Sequence, residues 1–395
     1  MSQPILLLNC GSSSIKYQMI DSATEAVSAV GLVQKIGDAG TGTIDHETGG
    51  EKHHGEQHFA DHTEAIAAVI DMFSQYGPDL SQAIAVGHRT VHGGDAFLST
   101  TVIDGEVIDK LVELSGLAPL HNPPAIQGIR AAMTLLPDVP HVAVFDTAFF
   151  SDLPAEAYTY AIDLDLAQQH RIRKYGFHGT SHQYVSGKAA EFLGRDLADI
   201  RQIVCHLGNG ASISAIAGGR PIDTSMGLTP LQGLVMGTRS GDVDPGLHAF
   251  LARELGMTID DIDTLLNKRS GMLGLTGRTD MRDVWAAAEA GDERAALGLD
   301  VYVHRLVSYI GSYVALLGGA DAITFTAGVG ENDHRLRARV AERLAWLGIT
   351  LDAAANEARS KQPRAISTPD STIALFVIPT NEELAMAREV LQAIA

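Results

Sequence analysis

Cysteine is nearly missing from this chain: Cys10 and Cys205 are the only two among 395 residues. Two thiols cannot frame a disulfide-stapled fold, so a reducing, cytoplasmic setting is expected. Cations are also scarce, with 29 Lys and Arg against 48 Asp and Glu for a net charge of −19. So acidic a surface repels nucleic acid and anionic membranes, which excludes both as partners. An anion-handling site here has to gather its few cations locally or borrow a divalent metal. Aromatic residues make up only 6% of the chain. The longest mostly apolar stretch, Leu306 to Leu317, is broken by Ser308, Gly311 and Ser312. It falls well short of the roughly 20 residues that a membrane helix needs. Neither a basic nor a long apolar segment precedes Leu7-Leu8-Asn9-Cys10, which argues against a lipid-attachment site there. Familiar phosphate-binding strings are absent too. Gly187-Lys188 lacks the upstream glycine of a P-loop and is followed by Ala189, and no dinucleotide fingerprint follows a strand.

What the chain does have is glycine, 40 residues of it, and 45% hydrophobic content, enough to bury two cores. Ile5 to Tyr17 reads as a buried apolar strand, a Gly11-Ser12-Ser13-Ser14 turn, and a returning strand with Ile15 and Tyr17 on one face. Small residues let backbone N–H groups and hydroxyls approach an anion. The pattern returns about 198 residues later in Ile203 to Ile216, around Gly208-Asn209-Gly210. Such repetition suggests two similar α/β domains facing one nucleotide. The two cysteines are expected at matching strand ends of the two repeats.

Between the repeats, residues 21–61 are polar and read as a hairpin or loop insertion, with His53, His54, His58 and nearby His62 as solvated loop histidines rather than a metal site. His62 to Tyr76 is an amphipathic helix. Further strands end at Arg89 and Asp146, and Pro123-Pro124 opens a helix. In the second half, a loop through His178 leads into a helix ending at Leu193. Asp223 to Pro245 is too long for an idle connection. Helices are expected at about 245–256, 258–268, 280–290 and 293–318, then a strand into the Gly-rich turn 328–332 and a helix at about 333–347. A last strand, Ile373 to Ile378, meets a helix with Thr380 and Glu383 as its capping box. Asn9, Arg89, Asp146, His206, Gly328 and Glu382 thus stand at strand ends, the edge where open α/β sheets place ligands. Glycine turns, arginines and carboxylates together suit phosphoryl transfer, which is mainly positioning and charge neutralisation.

These strings resemble the acetokinase family, the acetate, propionate and butyrate kinases, within the superfamily that joins acetate and sugar kinases to Hsp70 and actin. Asn9 to Lys16, Gly87 to Gly94, Asp223 to Pro245 and Thr380 to Glu383 carry the likeness from end to end, with Thr90 and Asp95 as mild departures from the usual pattern. The resemblance implies duplicated ribonuclease-H-like (actin-like ATPase) α/β domains around a central cleft. One spans residues 1–150, completed by the helix at 382–395; the other spans 151–381. It also implies reversible, in-line transfer between ATP and acetate, giving ADP and acetyl phosphate, with Mg²⁺ (Mn²⁺ as a substitute) and a homodimer.

Carried over residue by residue, Arg89 and Arg239 flank the moving phosphoryl group and the carboxylate, their planar forks matching both. His178 donates to the phosphoryl group, and His121 is a second stabiliser. Asp146 has an acid/base role in the family, but acetate is already ionised at neutral pH. Orienting Arg89 or a metal-bound water is an equal reading for it. Asn9 and Glu382 take the metal positions. ATP contacts fall on Lys16, on His206, Leu207, Gly208, Asn209 and Gly210, on Asp280, Met281 and Arg282, and on Gly328, Val329, Gly330, Glu331 and Asn332. Val91, Leu120, Phe177 and Pro230 form the pocket for the acetate methyl, with Val91 favouring acetate over propionate. Two rivals stand: a kinase for propionate or butyrate, and a non-catalytic nucleotide switch of the Hsp70 or actin kind.

Overall fold

An apolar strand, a turn of small residues and a returning strand begin the sheet in each half of the chain. The computed structural model describes residues 3–119 and 121–395, so the pocket assignment for Leu120 lies outside the described residues. Two compact units divide the chain, Met1–Ser151 with Asn381–Ala395, and Asp152–Thr380. Among the described residues no helix is long and apolar enough to cross a membrane.

In the first unit, β1 (Pro4–Cys10), β2 (Ser14–Asp21), β3 (Val27–Gln34), β4 (Gly42–Thr48) and β5 (Glu51–Gln57) form an antiparallel meander. On the other side of β1 lie β6 (Ala85–Thr90) and β8 (His141–Phe145), both parallel to it, with β7 (Thr101–Val102) antiparallel at the edge. The order is β5-β4-β3-β2-β1-β6-β8-β7. In the second unit, β9 (Arg201–Leu207), β10 (Ala211–Ala217) and β11 (Arg220–Thr224) are the antiparallel set. Strands β12 (Ala322–Thr326) and β14 (Ala374–Val377) run parallel to β9, and β13 (Arg364–Ala365) forms the edge. Its order, β11-β10-β9-β12-β14-β13, repeats β3-β2-β1-β6-β8-β7 strand for strand.

Strand β1 is apolar on both faces because both are covered, with Ile5, Leu6, Leu7 and Leu8 at most 3% exposed. Leu6, Leu8 and Tyr17 pack with the His62–Tyr76 and Asn122–Leu135 helices. The opposite face meets the Glu382–Ile394 helix. Contact there requires a glycine, since a Cβ on Gly87 would lie 2.7 Å from Leu7 and 2.8 Å from Val390.

Several expectations change. Residues 27–34 are no insertion but the third strand of the duplicated pattern; only β4 and β5 are added, as a hairpin joined through Gly49 and Gly50 at positive φ. The cysteines do not match: Cys10 ends β1, whereas Cys205 lies two residues before the end of β9. His62 is buried, its Nε2–H donating to the Gly11 carbonyl at 2.8 Å, and His53 stacks on Tyr76 at 3.7 Å. Residues 327–332 are a short helix, not an open turn; it starts directly off β12, with Ala327 at φ 64° at the junction. The cap of the last helix is Asn381, whose side chain accepts from Leu384 N–H, while the Thr380 hydroxyl is shared with Ser181.

Candidate active site

In the first unit the functional side chains gather where β1, β6 and β8 end. Arg89, next to last in β6, donates from Nε and Nη2 to the two carboxylate oxygens of Asp146 at 2.9 and 3.0 Å. Glu382 lies 3.4 Å from the same guanidinium. Parallel pairing of β6 with β8 sets Arg89 beside Val144, so Asp146 emerges two residues on, its N–H held by the Thr90 carbonyl. Asp146 chiefly, and then Glu382, hold Arg89 firmly protonated against the cost of burial. For Glu382, burial dominates and pushes the carboxyl above its ordinary value, with Asp146 and Glu383 adding to this and Arg89 and Lys16 opposing it. Asn9 stands near the end of β1, opposite Lys16 in register, and Lys16 is exposed. Val91 follows β6 directly and is half-buried, as is His121, the residue before the Asn122–Leu135 helix.

The loop after β6 is fixed by residues that sequence reading did not single out. Asn122, fully buried, accepts from the His92 N–H and donates to the His92 carbonyl, and the Thr147 hydroxyl accepts from Gly93 N–H. The prolines after Asn122 explain the helix start but conceal this clamp.

In the second unit, His178 has φ 61° and precedes the Gly179–Leu193 helix. Its ring stacks on His206 at 4.2 Å and shares a hydrogen bond from Nδ1 with the Ser212 hydroxyl at 2.9 Å. Ser212 also bonds His182 Nε2 at 2.7 Å, and Ser214 bonds His182 Nδ1 at 2.7 Å. Gly210 brings His178 and Arg239 together: a Cβ there would lie 3.4 Å from Arg239 Nη2 and 3.6 Å from His178 Nε2. Arg239 donates from Nη1 to the Pro230 carbonyl at 2.7 Å, and burial lowers its pKa. Within its unit no carboxylate among the described residues lies within ion-pair distance of it. Phe177 is 1% exposed and Pro230 half-buried.

Beside this cluster is a cavity of about 820 Å³. Of the expected nucleotide residues, Gly208, Asn209, Asp280, Met281, Arg282, Gly328, Val329, Glu331 and Asn332 line it. Others are placed differently. His206 and Leu207 are buried in β9, Gly210 faces His178, and Gly330 is buried within the short 327–332 helix. Lys16 belongs to the other unit. Arg282 pairs with Asp280 and holds that carboxyl down at about 2. Trp285 and Arg337 also line the cavity and were not anticipated. Arg337 is 1% exposed and donates to the Gly330 carbonyl and to both oxygens of Asn356, which shapes the wall from below.

Duplicated sheets, an arginine at a strand end of the first, a second arginine beside His178, and a cavity large enough for a nucleoside are the build of a phosphotransferase of the kinase kind. The chain belongs to the acetokinase family, whose profile matches residues 4–388. Similar curated proteins include the acetate kinase of Clavibacter michiganensis subsp. michiganensis, 56% identical over 393 residues and 99% of each chain. That of Leifsonia xyli subsp. xyli is 55% identical over 393 residues, again covering 99% of each. Among solved structures, the chain is similar to Porphyromonas gingivalis acetate kinase (TM-score 0.95, 42% identity, 100% of each chain). It is also similar to a propionate kinase from Francisella tularensis subsp. tularensis (TM-score 0.93, 40% identity, 98% of each).

Proposed function

We propose that this chain catalyses reversible phosphoryl transfer between ATP and acetate, giving ADP and acetyl phosphate. The observation that carries the reading is Arg239: a desolvated guanidinium with a backbone carbonyl as its hydrogen-bond partner, beside His178 and a nucleoside-sized cavity. Unspent donors of this kind suit the oxygens of a moving phosphoryl group. Acetate arrives ionised and attacks without a base. Both oxygens of Asp146 are committed to Arg89, which supports an orienting role for it rather than proton abstraction. Arg89 then steers the acceptor carboxylate, and His178 donates from Nε2 to the phosphoryl group. His121 is a further stabiliser, and Val91, Leu120, Phe177 and Pro230 are the residues this reading assigns to the acetate methyl.

Asn9 and Glu382 offer oxygen donors only, and Glu382 is a carboxylate whose charge burial disfavours, a donor set that fits a hard divalent cation. They would hold Mg²⁺, or Mn²⁺ in its place, which supplies positive charge to the ATP phosphates. The reading includes a cytoplasmic homodimer. The test is trapping acyl phosphate with hydroxylamine in the presence of ATP, Mg²⁺ and short carboxylic acids. Acetate should give the highest kcat/KM. A preference for propionate would transfer the chain to its rival, although one methylene is worth only about 1–3 kcal/mol. No hydroxamate from any acid would refute the activity.

A further inference from the structure

We propose that Ser214, His182 and Ser212 form a one-way hydrogen-bond relay that fixes the tautomer of His178 and leaves its proton on Nε2. The value of that proton to catalysis rests on the function proposed above; the tautomer itself does not. Ser212, Ser214 and His182 are all 0% exposed, so solvent cannot serve as an alternative partner. Each bond in the relay is short: Ser214 to His182 Nδ1 2.7 Å, His182 Nε2 to Ser212 2.7 Å, and Ser212 to His178 Nδ1 2.9 Å.

The direction follows from Ser214. Among the described residues its hydroxyl has one hydrogen-bond partner, His182 Nδ1. Were His182 to donate from Nδ1, the Ser214 proton would be stranded in a dry interior, a costly arrangement. Ser214 therefore donates, and His182 Nδ1 accepts. Burial first, and His206 next, push the His182 pKa well below the ordinary histidine value, so its ring is neutral with one proton, which must sit on Nε2. That proton goes to the Ser212 oxygen, and the Ser212 hydroxyl then donates to His178 Nδ1. A neutral His178 is left with its proton on Nε2, the nitrogen 3.6 Å from a Cβ position on Gly210 and on the side where Arg239 lies. Reversing the relay would present a lone pair there, which repels a phosphoryl oxygen. His182, Ser212 and Ser214 act through His178 and are positioning residues.

The experiment uses the full chain with isotope-labelled histidine. Long-range proton–nitrogen spectra are recorded at about pH 8, above the usual histidine titration. His178→Gln and His182→Gln assign the two rings. Both should be protonated at Nε2 in the wild type, and an Nδ1–H form at either ring overturns the relay. Ser214→Ala should turn His178 into a tautomer mixture and lower hydroxamate-trapped turnover on the order of tenfold, with Ser214→Thr restoring both. A wild-type tautomer and turnover in Ser214→Ala would also overturn it. Should Ser214→Ala fail to fold, the wild-type spectrum still decides. Absence of hydroxamate with an Nε2–H His178 would sink the function while leaving the relay in place.

Discussion

Arg89 and Arg239 carry the same group in opposite circumstances. The first is bonded to Asp146 and close to Glu382, so its fork is held in one plane with its charge assured. The second is desolvated and donates to a carbonyl, which leaves charge and donors for a ligand. Arg239→Ala should accordingly lower turnover by about 10²–10³, the usual loss for a donor aimed at developing charge. Its KM for ATP should move little, because the cavity that would take the nucleoside remains intact. Hydroxamate kinetics with varied ATP check this, and unchanged turnover would remove Arg239 from the reacting centre. Arg89 was legible because it ends an apolar run, where a charged side chain has no packing reason to be. Arg239, inside the segment 223–245, was singled out only by the resemblance. Asn122 and Ser212 were not legible. Small polar residues are ordinary in loops and strands, and their bonds to His92 and His178 come from segments distant in sequence.

At the scale of single elements, the short Ala327–Asn332 helix depends on a neighbour in the cavity wall. Arg337, in the His334–Arg343 helix, sends three bonds to Gly330 and Asn356 from a site that lowers its pKa to about 10 by burial. Arg337→Met keeps the volume and strands two carbonyls and an amide oxygen. At about 1–3 kcal/mol for each stranded group, the urea midpoint should fall clearly and the KM for ATP should rise. Arg337→Lys should rescue little, since a point charge cannot span the fork's three acceptors. A midpoint matching the wild type would contradict the role. Helix periods were readable here, as the His62–Tyr76 stretch shows, because one apolar stripe faces a core. Boundaries were less so. Thr380 and Asn381 are both competent caps; in the fold Asn381 takes the position while the Thr380 hydroxyl bonds Ser181.

Across the whole molecule, the repeat of β3-β2-β1-β6-β8-β7 in the second unit was foreshadowed by paired strand–turn–strand segments, yet the role of residues 27–34 as a shared strand was hidden by their polar setting. The first unit is discontinuous: the Glu382–Ile394 helix buries Leu384, Met386 and Val390 against its sheet. A chain ending at Thr380 should lose this unit's fold, since three such side chains are worth roughly 1.5–3 kcal/mol each, close to a domain's entire margin. Limited proteolysis should then cut within residues 3–119 while sparing Asp152–Thr380, and equal protection of both would contradict the argument. On the ribosome the same feature sets an order of assembly. The amino-terminal sheet emerges first but waits, one side bare, until more than two hundred further residues have been translated and its missing helix arrives. Meanwhile the intervening unit, contiguous in sequence, is free to mature, so the half that is made earliest is finished last.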